Sequence, residues 1–158
     1  VQILKSPLMM ELKQMIEHSG ISCSGIIVEL TESGYLEGTP AVRSVWNDMK
    51  QLRIQIALDD FGTGYSNLMN ISNLEPDIVK LDRGFTLKAL SRSYEYQLMQ
   101  YVIEMVHKLN QYVCVEGVET KEDLEKIKAL GPDLIQGYYY SKPCSRDEFL
   151  KKFFGYSE

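Results

Sequence analysis

The clearest signal of the fold is the segment IQIALDD, residues 54–60. It is an apolar run of strand length that ends in two acidic residues, Asp59 and Asp60, and the glycine-containing segment FGTG follows them. A continuous apolar run bounded by turn residues is typical of a strand that is buried on both faces, as in a parallel sheet. Residues 54–58 are therefore predicted to form an inner strand with a pair of carboxylates at its end.

Four further apolar runs are built in the same way, because each carries a carboxylate, a lysine or an amide near its end. The runs and their polar residues are IIVEL (26–30) with Glu29, DIVKLD (77–82) with Lys80, YVCVEGVE (112–119) with Glu116 and Glu119, and LIQGYYY (134–140) with Gln136. In a parallel β/α barrel the strand ends and the loops after them form the active site on one face. These residues are therefore predicted to share one polar site.

Segments with helical periodicity separate the strands. Helices are predicted at 7–19, 38–53, 68–73, 92–110 and 121–130, and another begins near residue 145, where SRDE resembles a capping box. The predicted inward-facing residues of the longest helix are Tyr94, Leu98, Tyr101, Val102, Met105 and Leu109. Strands that alternate with helices predict an α/β fold with a parallel sheet. A closed eight-stranded barrel takes about 250 residues, so 158 residues with about five strands predict an incomplete TIM-like (β/α) barrel.

Composition excludes some function classes. A formal charge of -5 argues against broad, nonspecific binding of nucleic-acid polymers, which needs a basic face. The three cysteines are scattered without zinc-type spacing, which favours a reducing cytoplasm over a disulfide framework. No apolar stretch approaches the roughly 20 residues that span a bilayer. We therefore expect a cytoplasmic chain without membrane contact.

The acidic residues suggest a metal site. Adjacent carboxylates at Asp59 and Asp60 repel each other unless a proton or a cation lies between them. Two divalent ions about 4 Å apart can hold both sides of an in-line displacement at phosphorus. Glu29 and Glu32 would add hard oxygen donors, which favour Mg²⁺ or Mn²⁺ over zinc. The alternatives are that the aspartate pair only begins a turn and that Glu32 caps the following helix.

Lys80 and Gln136 are unusual because both interrupt apolar runs. A lysine inside a strand is costly unless its ammonium meets a carboxylate or reaches a polar pocket. A position on an exposed edge strand is the alternative, but a parallel sheet has few edges. The amide of Gln136 must also find a partner, either in the site or at a neighbouring strand end.

The motifs ELTES (29–33), LDDFGTGYSNL (58–68), PDIVKLDRGF (76–85), CVEGVET (114–120) and IQGYYYSKP (135–143) occur in this order. In this order and spacing they resemble the EAL domain of bacterial cyclic di-GMP phosphodiesterases. The resemblance implies a TIM-like barrel with one antiparallel strand. It also implies hydrolysis of cyclic di-GMP to linear pGpG with two Mg²⁺ or Mn²⁺ ions.

The resemblance also implies residue roles. Glu29 resembles a ligand of the first metal, Asp59 the carboxylate shared by both ions, and Asp60 a ligand of the second. Lys80 resembles the lysine that holds the attacking water, and Glu116 the glutamate proposed as general base or second-metal partner. The remaining matched positions are Gln136, the last polar group of the site, and Glu32 and Glu119, which resemble residues that support the DDFGTG loop.

The Glu-Ala-Leu signature of the family and the asparagine on its next ligand strand are absent from the chain. Residues 1–158 thus resemble the C-terminal two-thirds of an EAL domain that lacks the first strands of the barrel. Weak metal binding and little turnover are expected from this chain alone. The alternative function is a non-catalytic module that binds cyclic di-GMP or a protein. Because an open barrel exposes strand edges, a homodimer is also expected.

Overall fold

The computed structural model of the chain describes residues 8–31, 40–63 and 75–155. Its strands are β1 (Ile27–Thr31), β2 (Gln55–Phe61), β3 (Ile78–Leu81), β4 (Tyr112–Glu116) and β5 (Leu134–Gln136). Its helices are α1 (Leu8–Ser19), α2 (Pro40–Gln51), α3 (Arg83–Ser91), α4 (Ser93–Lys108), α5 (Lys121–Lys128) and α6 (Arg146–Phe154). The helix predicted at 68–73 lies outside the described residues.

The five strands form one sheet in the order β1-β2-β3-β4-β5, and each pairs in parallel with the next. Every crossover therefore connects sequence neighbours, as in a β/α barrel. Within the described residues the sheet does not close, because β1 and β5 each pair on one side only. The predicted fold class, an incomplete α/β barrel of about five strands, is confirmed.

The two faces of the sheet differ in what covers them. One face packs against the helices through Ile56, Leu58, Val79, Val113 and Val115, all of them fully buried. On the other face the described residues form a small buried apolar cluster of Ala57, Ile78 and Cys114. Near the edges and base of this second face the side chains of Ile27, Tyr112 and Leu134 are 47%, 55% and 46% exposed. The face that would be the interior of a closed barrel is thus partly open.

The prediction for the inner face of α4 was wrong. Tyr94 and Tyr101 are 72% and 66% exposed, and the predicted inward residues Leu98 and Leu109 are also exposed. The buried residues of this helix are Met99, Val102, Ile103 and Val106, so Val102 alone of the predicted set is fully buried, while Met105 is half-buried. Apolar residues occupy both faces of α4, so the periodicity allowed two phases, and packing against α3 and β4 selects the other one.

The helix α3 was not predicted. It begins directly after β3, where the carboxylate of Asp82 accepts a hydrogen bond from the amide of Gly84 at 2.7 Å. It buries Phe85, Thr86 and Ala89. An aspartate at the N-cap is a recognisable helix start, so the signal was present in the sequence.

A repeated Pro-Asp pair fixes the start of two strands. The amide of Asp77, before β3, donates to the carbonyl of Ile56 at 2.9 Å, and the amide of Ile56 donates back to the Asp77 carboxylate at 2.8 Å. The same exchange joins Asp133, before β5, to Val113, at 3.1 Å and 2.7 Å. In each case both the backbone amide and the carboxylate of the aspartate bond to the neighbouring strand. These contacts therefore hold β3 in register with β2, and β5 in register with β4.

A candidate active site around Lys80

The aspartate pair lies on a β-bulge at the end of β2. Leu58 is in register with Val79 and Phe61 with Leu81, so β2 has one more residue than β3 over this stretch. Asp60 is the residue that absorbs the extra length, with a φ of 62°. Aspartate is one of the few residues that tolerate this left-handed conformation. Bulges re-aim side chains next to active sites, and this one brings Phe61 into the core cluster that also contains Leu58, while Asp59 keeps its regular register with Thr31 of β1.

Lys80 lies at the centre of the site, on β3. Its side chain is only 6% exposed, and its Nζ is 2.8 Å from Oε1 of Glu29, 3.0 Å from Oδ1 of Asp59 and 2.7 Å from Oε1 of Glu116. One ammonium thus meets carboxylates from β1, β2 and β4. The pocket predicted for this lysine is present, and the edge-strand alternative is wrong because β3 is the middle strand.

The charges in the site are strongly coupled. Burial alone would lower the pKa of Lys80, but its close contacts with the carboxylates of Glu116, Glu29 and Asp59 outweigh burial and raise the pKa above its usual range. Burial also raises the pKa of Asp60, and the neighbouring charges of Asp59 and Asp82 raise it further, although Lys80 opposes the effect. Lys80 is therefore a permanent cation at physiological pH.

Two glycines hold the segment after β4. Gly117 has a φ of 81° and packs against the side chain and Cα of Arg83. Gly137 lies against the backbone of Val118, which donates to the Gln136 carbonyl at 3.3 Å and accepts from the Tyr139 amide at 3.0 Å. The end of β4 is thus packed between the start of α3 and the segment after β5.

Glu119, Gln136 and Glu32 are placed differently from the central group. Glu119 accepts hydrogen bonds from Arg83 at 2.7 Å and 3.2 Å, and its support of the DDFGTG loop stays a prediction, because these described hydrogen bonds join it to Arg83 and not to that loop. Gln136 is exposed on β5, in register with Glu116. Glu32 lies outside the described residues.

Arg83 is a residue that the sequence reasoning missed. It contacts both Gly117 and Glu119, so it joins α3 to the segment that follows Glu116. Its signal was its position, two residues beyond the end of β3 and therefore at the same edge of the sheet as the predicted site.

The donor set fits a divalent metal by its chemistry, since Glu29, Asp59, Asp60 and Glu116 all offer hard carboxylate oxygens. Oδ1 of Asp59 is buried and, although 3.0 Å from Nζ of Lys80, lacks a donor in good hydrogen-bonding direction. Among the described residues, however, no three acidic, histidine or cysteine side chains are grouped closely enough to hold an ion. The Lys80 ammonium lies between the carboxylates that would have to converge.

In this chain, charged side chains lie at the carboxyl ends of parallel strands. This arrangement is typical of β/α-barrel proteins, whose functional groups lie on the C-terminal face of the barrel. The sequence profile described as "EAL domain" matches residues 1–143 of this chain. The chain therefore belongs to the EAL domain family.

Similar proteins agree with this assignment. The chain is 29% identical over 152 residues to the cyclic di-GMP phosphodiesterase NbdA of Pseudomonas aeruginosa, a match that covers 94% of this chain and 19% of NbdA. The EAL enzyme Bd1971, solved with cAMP and cyclic di-GMP, is 30% identical with a TM-score of 0.89, over 95% of this chain and 40% of that one. The EAL domain of Mycobacterium smegmatis DcpA is 26% identical with a TM-score of 0.88, over 98% of this chain and 70% of that one.

A metal complex is also among the similar structures. BlrP1 of Klebsiella pneumoniae, solved with manganese and cyclic di-GMP, is 26% identical with a TM-score of 0.82, over 89% of this chain and 36% of that one.

The chain spans about a fifth of the length of NbdA. In the part of the chain that the structure describes, no helix is both long and apolar enough to cross a bilayer.

Proposed function

We propose that this chain is part of a catalytic domain that hydrolyses cyclic di-GMP to linear pGpG with the help of Mg²⁺ or Mn²⁺. The observation that carries the proposal is the group of Glu29, Asp59 and Glu116 around Lys80, because four separate strands contribute to it. A phosphodiester is an anion, and acidic residues at its binding site require cations between the two. The names of the similar proteins support the choice of substrate.

In this proposal the residues divide by what their chemistry permits. Glu29, Asp59 and Asp60 would hold the divalent ions, which when bound supply charge neutralisation at the phosphate and activation of water. Lys80 cannot accept a proton, since its pKa is raised, so it serves as a hydrogen-bond donor that orients the water or a phosphate oxygen. The proton acceptor must then be a carboxylate, and Glu116 is the one nearest to Nζ of Lys80.

We further propose that residues 1–158 are the C-terminal part of an EAL domain, without the first strands of its barrel. The exposed apolar side chains of Ile27, Tyr112 and Leu134 on the open face support this, because a sheet of this kind is normally covered on both faces. The match to 70% of the DcpA EAL domain also supports it. Glu32, Glu119 and Gln136 would support the loops and the substrate in the completed site.

Self-association and a cytoplasmic location are parts of the same proposal. The exposed apolar side chains of Tyr94, Leu98 and Tyr101 recur at helical spacing on α4 and would suit a homodimer contact. The three free cysteines suit a reducing compartment. Light scattering at micromolar concentration tests the first point, and a monomer would contradict it.

A second candidate is a module that binds cyclic di-GMP or a protein without cleaving the nucleotide. The observation in its favour is that the described carboxylates surround a lysine and do not form a ready metal cluster. Binding of cyclic di-GMP that is unaffected by chelation of metals, with no hydrolysis under any condition, would favour this candidate.

The test is chromatographic detection of pGpG after incubation with cyclic di-GMP and Mn²⁺. Two proteins are compared: the 158-residue chain, and a chimera that also carries the segments of the DcpA EAL domain that this chain lacks. Each has a Glu116→Gln control. We expect pGpG from the chimera, little or none from the chain alone, and none from the controls. A chimera that binds the nucleotide but makes no pGpG would contradict the catalytic proposal.

A further inference from the structure

The ammonium of Lys80 lies among three carboxylates. An ammonium has three N–H donors, and the three closest anionic oxygens belong to Glu29, Asp59 and Glu116 at 2.7–3.0 Å. Since each oxygen lies within 3.0 Å of the same nitrogen, any two of them are within about 6 Å of each other. The three side chains are 49%, 22% and 19% exposed, so water screens the latter two only in part.

Three carboxylates at this spacing repel one another unless a cation compensates them. The lysine supplies that cation from within the chain and needs no ion from solution. A divalent ion in the same place would need the same oxygens, at shorter distances than an ammonium does. The ammonium and a metal ion therefore compete for the carboxylates of one site.

The contact with Asp59 is the weakest of the three. It is the longest, at 3.0 Å, and Oδ1 of Asp59 lies out of good hydrogen-bonding direction. The contacts with Glu29 and Glu116 are shorter, at 2.8 Å and 2.7 Å. Oδ1 of Asp59 is therefore the oxygen of the three that has bonding capacity left for a metal ion.

We propose that Lys80 is the resident cation of this site: it holds the three carboxylates together while no metal is bound, and a divalent ion enters by displacing the ammonium from Asp59. The inference rests on the proposed metal site. It gives Lys80 a role that a lysine which only orients water would not have. Removal of the ammonium should raise the affinity for metal, and metal binding should change the surroundings of the Lys80 ammonium, whereas a lysine that only orients water would keep its contacts with the three carboxylates.

The experiment measures Mn²⁺ binding to the 158-residue chain by calorimetry, with no nucleotide present. The variants are Lys80→Met, which keeps the length of the side chain, and Lys126→Met. The second is a matched control, because it removes the same charge from an exposed i,i+4 pair with Glu122. We expect Lys80→Met to bind Mn²⁺ about tenfold more tightly or better, and Lys126→Met to bind within about twofold of the unmodified chain.

Thermal stability gives a second readout on the same proteins. In EDTA, Lys80→Met should melt below the unmodified chain, because its carboxylates are left without a cation. Mn²⁺ should then raise its melting temperature more than it raises that of the unmodified chain or of Lys126→Met. Equal or weaker Mn²⁺ binding by Lys80→Met, or no binding by any of the three proteins, would overturn the proposal.

If Lys80→Met does not fold in EDTA, the unmodified chain still decides. The ¹⁵Nζ resonance of Lys80 is followed by NMR as Mg²⁺ is added, with Lys126 as the internal reference. A shift confined to Lys80 that saturates with the metal is expected, and an unchanged resonance at saturating Mg²⁺ would refute the displacement. Neither readout needs turnover, so failure to detect pGpG from the chimera would contradict the proposed reaction without deciding this point.

Discussion

The contact between Gly137 and Val118 carries the sharpest prediction about stability. A Cβ at position 137 would overlap the carbonyl oxygen of Val118 and would lie 2.5 Å from its nitrogen and 2.7 Å from its carbonyl carbon. Backbone atoms cannot rotate away as a side chain can. Gly137→Ala must therefore push apart the segments that follow β4 and β5.

The cost can be worked from the contacts that would be lost. Overpacking a close contact costs about 1–3 kcal/mol. The two hydrogen bonds of the Val118 backbone, to Gln136 and from Tyr139, are worth about 1 kcal/mol each. We expect Gly137→Ala to lower the free energy of unfolding by about 3–5 kcal/mol, a large share of the stability of an ordinary domain.

Urea unfolding followed by circular dichroism measures this loss in the 158-residue chain. The control is Gly25→Ala, the same substitution at a glycine with open space around it and no positive φ; we expect it to change the free energy of unfolding by no more than about 0.5 kcal/mol. Hydrogen exchange should accelerate at the amides of Val118 and Tyr139. If Gly137→Ala were as stable as the control, the close packing that places Glu116 would be refuted.

Three further predictions concern charges and backbone. Without metal, Asp60→Gly should raise the free energy of unfolding by about 1 kcal/mol, because it removes a charge of the same sign as those of Asp59 and Asp82 and relieves a positive φ. A lower free energy of unfolding in urea at pH 7 would contradict this. Although burial acts to raise it, the pKa of Asp133 is lowered by hydrogen bonds from Val113 and His107, so Asp133→Asn should cost about 1 kcal/mol at pH 7. The ionised Asp133 stabilises the fold above its unfolded pKa of about 4, and this stabilisation is lost as the pH falls through the lower pKa of the folded state. The difference in melting temperature between Asp133→Asn and the unmodified chain should therefore vanish in thermal melts at acid pH. Burial, followed by the charge of Glu116, raises the pKa of the Cys114 thiol to about 11. Iodoacetamide at pH 8 should therefore modify Cys114 about a hundredfold more slowly than an ordinary thiol. Equal rates of modification at Cys114 and the exposed Cys144, measured by peptide mass spectrometry, would contradict this.

The positions of the five strands along the chain were predictable because buried parallel strands are continuous apolar runs. The shared site was predictable for the same reason, since parallel strands present their ends at one edge. Lys80 illustrates this: its cost inside an apolar strand predicted a polar pocket, and three carboxylates are found there. The catalytic and metal-binding roles remain predictions.

What could not be predicted depends on contacts between distant segments. The bulge that puts Asp60 at a positive φ follows from the register between β2 and β3, which the local sequence does not reveal. The inner face of α4 is set by its neighbours α3 and β4, since the helix carries apolar residues on two sides. The close approach of Gly137 to Val118 joins two loops that only the folded sheet brings together.

The proposed active site is tested by the rate of pGpG formation by the chimera when Glu29, Asp59, Lys80 and Glu116 are replaced one at a time. Each replacement removes a group that the account places at the reacting phosphate or at its metal ions. We expect every one of Glu29→Gln, Asp59→Asn, Lys80→Met and Glu116→Gln to lower the rate at saturating Mn²⁺ by about a hundredfold or more, with the fold preserved by circular dichroism. A variant that keeps the full rate would contradict the claim that these four side chains form one active site.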